Sequence, residues 1–124
     1  MKRIIFAALV GVLVSGPVWG QGKPPTLRYL CDFPVLVSMD GMEEAKDFKL
    51  EFILETASGN GMIIGNQGFS KVFVTNGPYA VTFLEMLGTG VVQSTTITQN
   101  GSAVHSRHSV ILKKLVPSQY YGTC

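Results

Sequence analysis

The chain is poor in the residues that concentrated chemistry needs. Its 124 residues include two histidines, two cysteines and a single tryptophan. The histidines, His105 and His108, lie three apart. On a helix that spacing would turn both toward one ion, but on a strand they point to opposite faces. No metal site is therefore expected. Charge is scarce as well, at 15% of residues, with ten basic side chains against eight acidic ones. Nucleic-acid binding, which needs a basic face, is excluded on that balance. The length allows one domain and leaves no room for a two-domain nucleotide-binding enzyme. No segment repeats.

Two tempting patterns also fall short. The run Gly59-Asn60-Gly61-Met62-Ile63-Ile64-Gly65 misses the dinucleotide-binding spacing by one residue and opens no helix, so its glycines read as turn formers. Ser106 and Ser109 have histidines nearby, but no strand-to-helix elbow presents either hydroxyl for attack. Ser106 and His108, two apart on one strand face, stand roughly 7 Å apart at Cα, too far for an easy hydrogen bond. No cofactor and no catalytic group is expected, and the chain reads as a binding protein.

What is present says more about destination and fold. Lys2 and Arg3 precede eleven apolar or glycine residues, Ile4 to Val14, and Ser15-Gly16-Pro17 breaks the run before Val18-Trp19-Gly20. This is the layout of a secretory signal peptide over residues 1–20, cleaved after Gly20. Eleven helical residues would cover only about half of a ~30 Å hydrocarbon core, so a membrane anchor is not expected. The remainder, 21–124, is one domain with eight charges of each sign. Cys31 and Cys124 fit the oxidising periplasm or exterior, where a pair has one possible connectivity. Their bridge would close a loop of about 90 residues, worth at most on the order of 4 kcal/mol on chain entropy.

From Leu27 onward the sequence is written in strands, with β-branched and aromatic runs separated by Gly, Asn and Pro. Strands are expected near Leu27–Cys31, Pro34–Ser38, Phe48–Thr56, Met62–Ile64, Phe69–Thr75, Tyr79–Leu87, Val91–Thr98 and Ala103–Leu112. In the clearest, Phe48, Leu50, Phe52 and Leu54 alternate with Lys49, Glu51 and Glu55, the pattern of a strand with one wet side. Asp40-Gly41-Met42-Glu43 has the form of a helix start and is read as one or two helical turns or a loop. About eight short strands give an all-β fold, a small antiparallel barrel or sandwich.

Turn chemistry then sets a register. Asn100-Gly101 as a two-residue hairpin loop would place Gln93 opposite His108 and Thr95 opposite Ser106. A three-residue Gly88-Thr89-Gly90 loop would place Glu85 opposite Gln93. One apolar face would thus carry a polar row, Glu85–Gln93–His108, able to line a cavity and orient a small ligand. The opposite face would expose His105 and Arg107 beside Thr96 and Ser94, a patch suited to an anionic group or an acidic protein surface. Tyr120 and Tyr121 are expected to pack the end of the barrel.

The C-terminal residues Ala103-Val104-His105-Ser106-Arg107-His108 and Pro117-Ser118-Gln119-Tyr120-Tyr121-Gly122-Thr123-Cys124 resemble a group of small uncharacterised exported proteins of Gram-negative bacteria. The plan of leader, β domain and terminal disulfide is also similar to that of the periplasmic inhibitors of C-type lysozyme. The resemblances imply export to the cell envelope and bring no established activity. From the residues, the expected function is a non-catalytic, inhibitor-like binding protein of the bacterial envelope acting through an exposed sheet face with His105 and Arg107, with a small-ligand carrier built on the Glu85–Gln93–His108 row as the alternative.

Overall fold

A computed structural model describes residues 25–66 and 68–124, and the expected signal peptide lies outside them. The described chain is all β: β1 (Thr26–Ser38), β2 (Gly41–Glu44), β3 (Lys49–Glu55), β4 (Gly61–Gly65), β5 (Gly68–Asn76), β6 (Ala80–Met86), β7 (Val92–Thr98), β8 (Ser102–Ile111) and β9 (Lys114–Thr123). Every pairing is antiparallel between neighbours, and β9 returns to β1, so β1 and β3–β9 close into an eight-stranded barrel. β2 is an additional strand paired with the far end of β1. Closure removes the free edges that would otherwise template association.

The wall follows from the period-two pattern. On β3, Phe52 and Leu54 are buried while Lys49 is exposed. On β6, Val81, Phe83 and Glu85 turn inward. A bulge between Asp32 and Val35 lets one long strand serve two neighbours, β3 along its first half and β9 along its second. β9 crosses that bulge at Gly122, where any Cβ would collide with the Asp32 carbonyl, so only glycine fits.

Three sequence expectations change. The two segments Leu27–Cys31 and Pro34–Ser38 form the single strand β1. The stretch read as helix or loop at Asp40–Glu43 is a tight hairpin instead: Ser38 pairs with Gly41, Gly41 takes φ 111°, and the Asp40 N–H donates to Ser38 Oγ. Finally, the tail beyond Leu112 is a full strand, β9, paired along its length with β8. Its turn was hidden because Leu112 and Lys113 take φ of 51° and 66°, a region where Asn and Gly are the usual residues.

The disulfide Cys31–Cys124 is formed and ties the end of β9 to β1. Its Cys124 N–H also donates to the Gly101 carbonyl at 2.8 Å, which draws the β7–β8 turn to the same seam.

The barrel interior has two parts. At the end bearing the β3–β4, β5–β6 and β7–β8 turns, aromatic rings fill the space. Phe52 stacks on Phe83 with centroids 4.6 Å apart, and Tyr29 meets Phe83 edge-on at 5.8 Å. Leu54, Val81, Ile97 and Ala103 complete this packing, and Val72 and Val74 close over it. A recess of about 300 Å³ at this end is lined by Tyr29, Val81, Ile97 and the 76–80 segment, with no charged side chain. The other end, where β4 turns into β5 and β6 into β7, is different.

Candidate functional site: the polar mouth of the barrel

At that second end the interior widens into a cavity of about 460 Å³. Its apolar lining comes from Phe48, Leu50, Ile63, Phe69 and Leu87, and its polar lining from Lys49, Asn66, Ser70, Glu85, Gln93, His105 and Arg107. A concave volume of a few hundred Å³ in which polar groups converge beside apolar ones is the form small-molecule sites take, and in this one the polar surface slightly exceeds the apolar.

Two hairpins place the polar groups. The β6–β7 turn is the three-residue Gly88-Thr89-Gly90 loop expected from sequence. Gly90 takes φ 86° and donates its N–H to the Leu87 carbonyl, and Glu85 stands opposite Gln93. The β7–β8 turn departs from expectation. Its loop is Gln99-Asn100-Gly101, three residues rather than two, with the Gly101 N–H donating to the Thr98 carbonyl at 3.0 Å and Gly101 at φ 89°. Asn100 Oδ1 braces the loop by accepting from the Thr98 hydroxyl and from the Ser102 N–H. Such three-residue loops, a tight turn followed by a left-handed glycine, are the next commonest hairpin after the two-residue forms.

That single extra residue turns β8 over, because side chains alternate with period two. Gln93 pairs with Arg107 and Thr95 with His105. The expected Glu85–Gln93–His108 row is therefore corrected to Glu85–Gln93–Arg107. His108 lies exposed on the outer wall opposite Pro117. The exposed patch expected around His105 and Arg107 does not form either: His105 is 1% exposed and Arg107 is half-buried, and both border the cavity. Of the five residues singled out as binding candidates, four converge on one site.

The floor is built around His105. Its Nδ1 shares a 2.6 Å hydrogen bond with Thr95 Oγ1, a fully buried hydroxyl. Its ring packs among Phe48, Phe33 and Tyr120 at centroid distances of 5.5, 5.9 and 6.0 Å. Burial, and secondarily the positive charge of Arg107, pushes the imidazole pKa down to about 4. At neutral pH it is an uncharged ring, held in orientation by Thr95. Phe48 also stacks on Tyr120 with centroids 4.1 Å apart, which fixes the Phe48 ring where it lines the mouth as an aromatic wall.

At the rim Glu85, only 9% exposed, accepts a hydrogen bond from the Gln93 side-chain amide. The Gln93 carbonyl oxygen is left as an acceptor. Arg107 is not neutralised: the ion pair present among the described residues joins Arg28 and Glu51, far outside on the wall. The site thus has an acid, an amide and a cation in sequence across three adjacent strands, above a neutral ring and beside an aromatic wall.

This arrangement can orient a ligand, but among the described residues there is no cluster of three metal-ligating side chains. Nor does a side-chain hydrogen bond link a serine hydroxyl to either histidine. The lining residues missed from sequence include Phe48, Leu50, Ile63 and Ser70. The first two belong to an alternation that was legible in β3, but nothing local announced that they border a cavity rather than a filled core.

No family model, no curated protein and no solved structure matches the chain. Similarity supplies no function, and the site carries the assignment.

Proposed function

We propose that the protein is an exported binding protein that holds a small molecule in the polar mouth of its barrel. The observation that carries this reading is the cavity of about 460 Å³ in which Glu85, Gln93, His105 and Arg107 converge beside Phe48, Leu50 and Ile63. The ends differ in chemistry: around Phe52 and Phe83 stacked rings fill the interior and the recess carries no charged side chain, whereas the mouth gathers an acid and cations. Export is supported by the Lys2–Arg3 start, the apolar run Ile4–Val14 and the Cys31–Cys124 disulfide. The C-terminal resemblance to small exported envelope proteins points the same way. No helix among the described residues is long and apolar enough to cross a membrane.

The test is fluorescence titration of the purified protein with a neutral apolar dye, phenylnaphthylamine. Saturable binding of one dye per chain is expected, and it should be lost in Ser70→Trp, a substitution at an exposed lining position that fills the mouth from β5. Failure of the dye to bind, or equal binding to the filled variant, would contradict the reading.

A second reading, recognition of an envelope protein in the manner of an inhibitor, is favoured by one different observation. The outer wall of β5 and β6 exposes Phe73 and Met86 at 63% and 60%. Large apolar side chains grouped outside a barrel mark association surfaces. Copurification of a second polypeptide that is released by Phe73→Ser would support that role.

A further inference from the structure

The charges at the mouth say what kind of molecule fits it. Arg107 projects into the rim half-buried, and among the described residues no carboxylate oxygen lies within 4.0 Å of its guanidinium. A partly desolvated guanidinium with its forked donors unclaimed is a poor structural element, because it loses water and gains no protein acceptor. It is a good receptor for a carboxylate or similar planar acid, which the fork can bind in two-point fashion. Glu85 stands two strands away, about 10 Å across the wall at the backbone. Its carboxylate holds the Gln93 amide, and its negative charge repels an anion from that side. Lys49, at the start of β3, lines the same mouth and adds a second cation, so the rim favours an acidic group overall and disfavours one only on the Glu85 side. Below the rim, Phe48, Leu50 and Ile63 offer apolar surface, and the Phe48 ring is held in place by its stack on Tyr120.

We infer that the occupant of the mouth is a free amphiphilic acid, a compact apolar body bearing one anionic head, with the head on Arg107 and the body against Phe48, Leu50 and Ile63. The inference rests on the ligand-binding reading of the mouth and adds the class of ligand.

Two dyes that share an aromatic body separate the two levels. Anilinonaphthalenesulfonate carries an anionic head, and phenylnaphthylamine has none. Both should bind one site, the sulfonate more tightly. Arg107→Gln should weaken the sulfonate roughly tenfold or more, as expected for a charge-assisted hydrogen bond, and change the neutral dye less than about twofold. Arg107→Lys should fall between, since it keeps the charge and loses the fork. Glu85→Gln should tighten the sulfonate by relieving like-charge repulsion. Octanoate should displace the sulfonate dye from the wild-type protein. Thermal melts near that of the wild type would show that each variant is folded.

If neither dye binds, the ligand-binding reading itself fails. If both bind equally and Arg107→Gln affects neither, the mouth is a ligand site but the acid assignment is wrong. Displacement by vesicles of anionic phospholipid and not by octanoate would overturn the assignment of a free acid.

Discussion

The two ends of one barrel solve opposite problems with the same strands. At the packed end, β3 and β6 contribute Phe52, Leu54, Val81 and Phe83, all buried, and the rings interlock. A few residues further along, the same two strands contribute Leu50 and Glu85 to an open cavity. The turns differ to match. Around the packed end the loops are tied together, with the Gln99 side chain donating to the Pro78 carbonyl and the Cys124 N–H to Gly101. At the open end the turns border the cavity through Gly65, Asn66 and Leu87. The lesson is a division of labour. Stability is concentrated where the interior is dry, and the polar groups that a stable core would avoid are concentrated where a ligand can reach them.

That division can be broken by measurement. The largest effect belongs to the packed end: Phe83→Ala should cost about 3–5 kcal/mol, because it removes a ring stacked against Phe52 and touched edge-on by Tyr29. Urea unfolding would read it. A cost below about 1 kcal/mol would mean that this end is not the stability centre.

The next effect lies at the boundary between the two ends. His105 stays neutral in the fold down to a pKa of about 4, whereas the unfolded chain takes up the proton near the ordinary value of 6.5. Because the folded pKa is the lower one, its contribution is fully present above about pH 6.5, is lost as pH falls toward 4, and changes little below that. The total is on the order of 3 kcal/mol. Unfolding curves between pH 7.5 and 4 should slope accordingly in the wild type and flatten in His105→Gln.

At the open end, Arg107→Gln and Glu85→Gln should each move stability by less than about 1 kcal/mol, since neither group forms an ion pair among the described residues. Both should alter binding of an anionic dye. A large stability loss in either would show that the rim is structural.

Much of this architecture was legible in the sequence because period-two alternation is a strong signal where one face is buried. β3 announced itself through Phe48, Leu50, Phe52 and Leu54, and β6 and β7 were placed in their true register by the Gly88–Gly90 loop. β9 was not legible, since Leu112-Lys113 is a poor turn sequence and Pro117 and Gly122 interrupt the strand pattern. The site was legible in composition and misplaced in geometry. Glu85, Gln93, His105 and Arg107 were all singled out, but a two-residue reading of Asn100-Gly101 exchanged the two faces of β8. Asn-Gly serves both loop lengths. The choice was made by Gly101, whose left-handed φ adds a third residue to the turn and whose carbonyl meets the Cys124 N–H. That contact joins residues distant in the chain, so no local signal carries it.

The most direct test is amide chemical-shift mapping during titration with anilinonaphthalenesulfonate. Ligand binding in the mouth should give shifts clustered at Phe48–Leu50, Ile63, Glu85, Gln93, His105 and Arg107, with little change at Leu54, Val81 and Ile97. Shifts centred instead on the outer wall, at Ile53, Met62 and Phe73, would contradict it and make the barrel mouth a bystander.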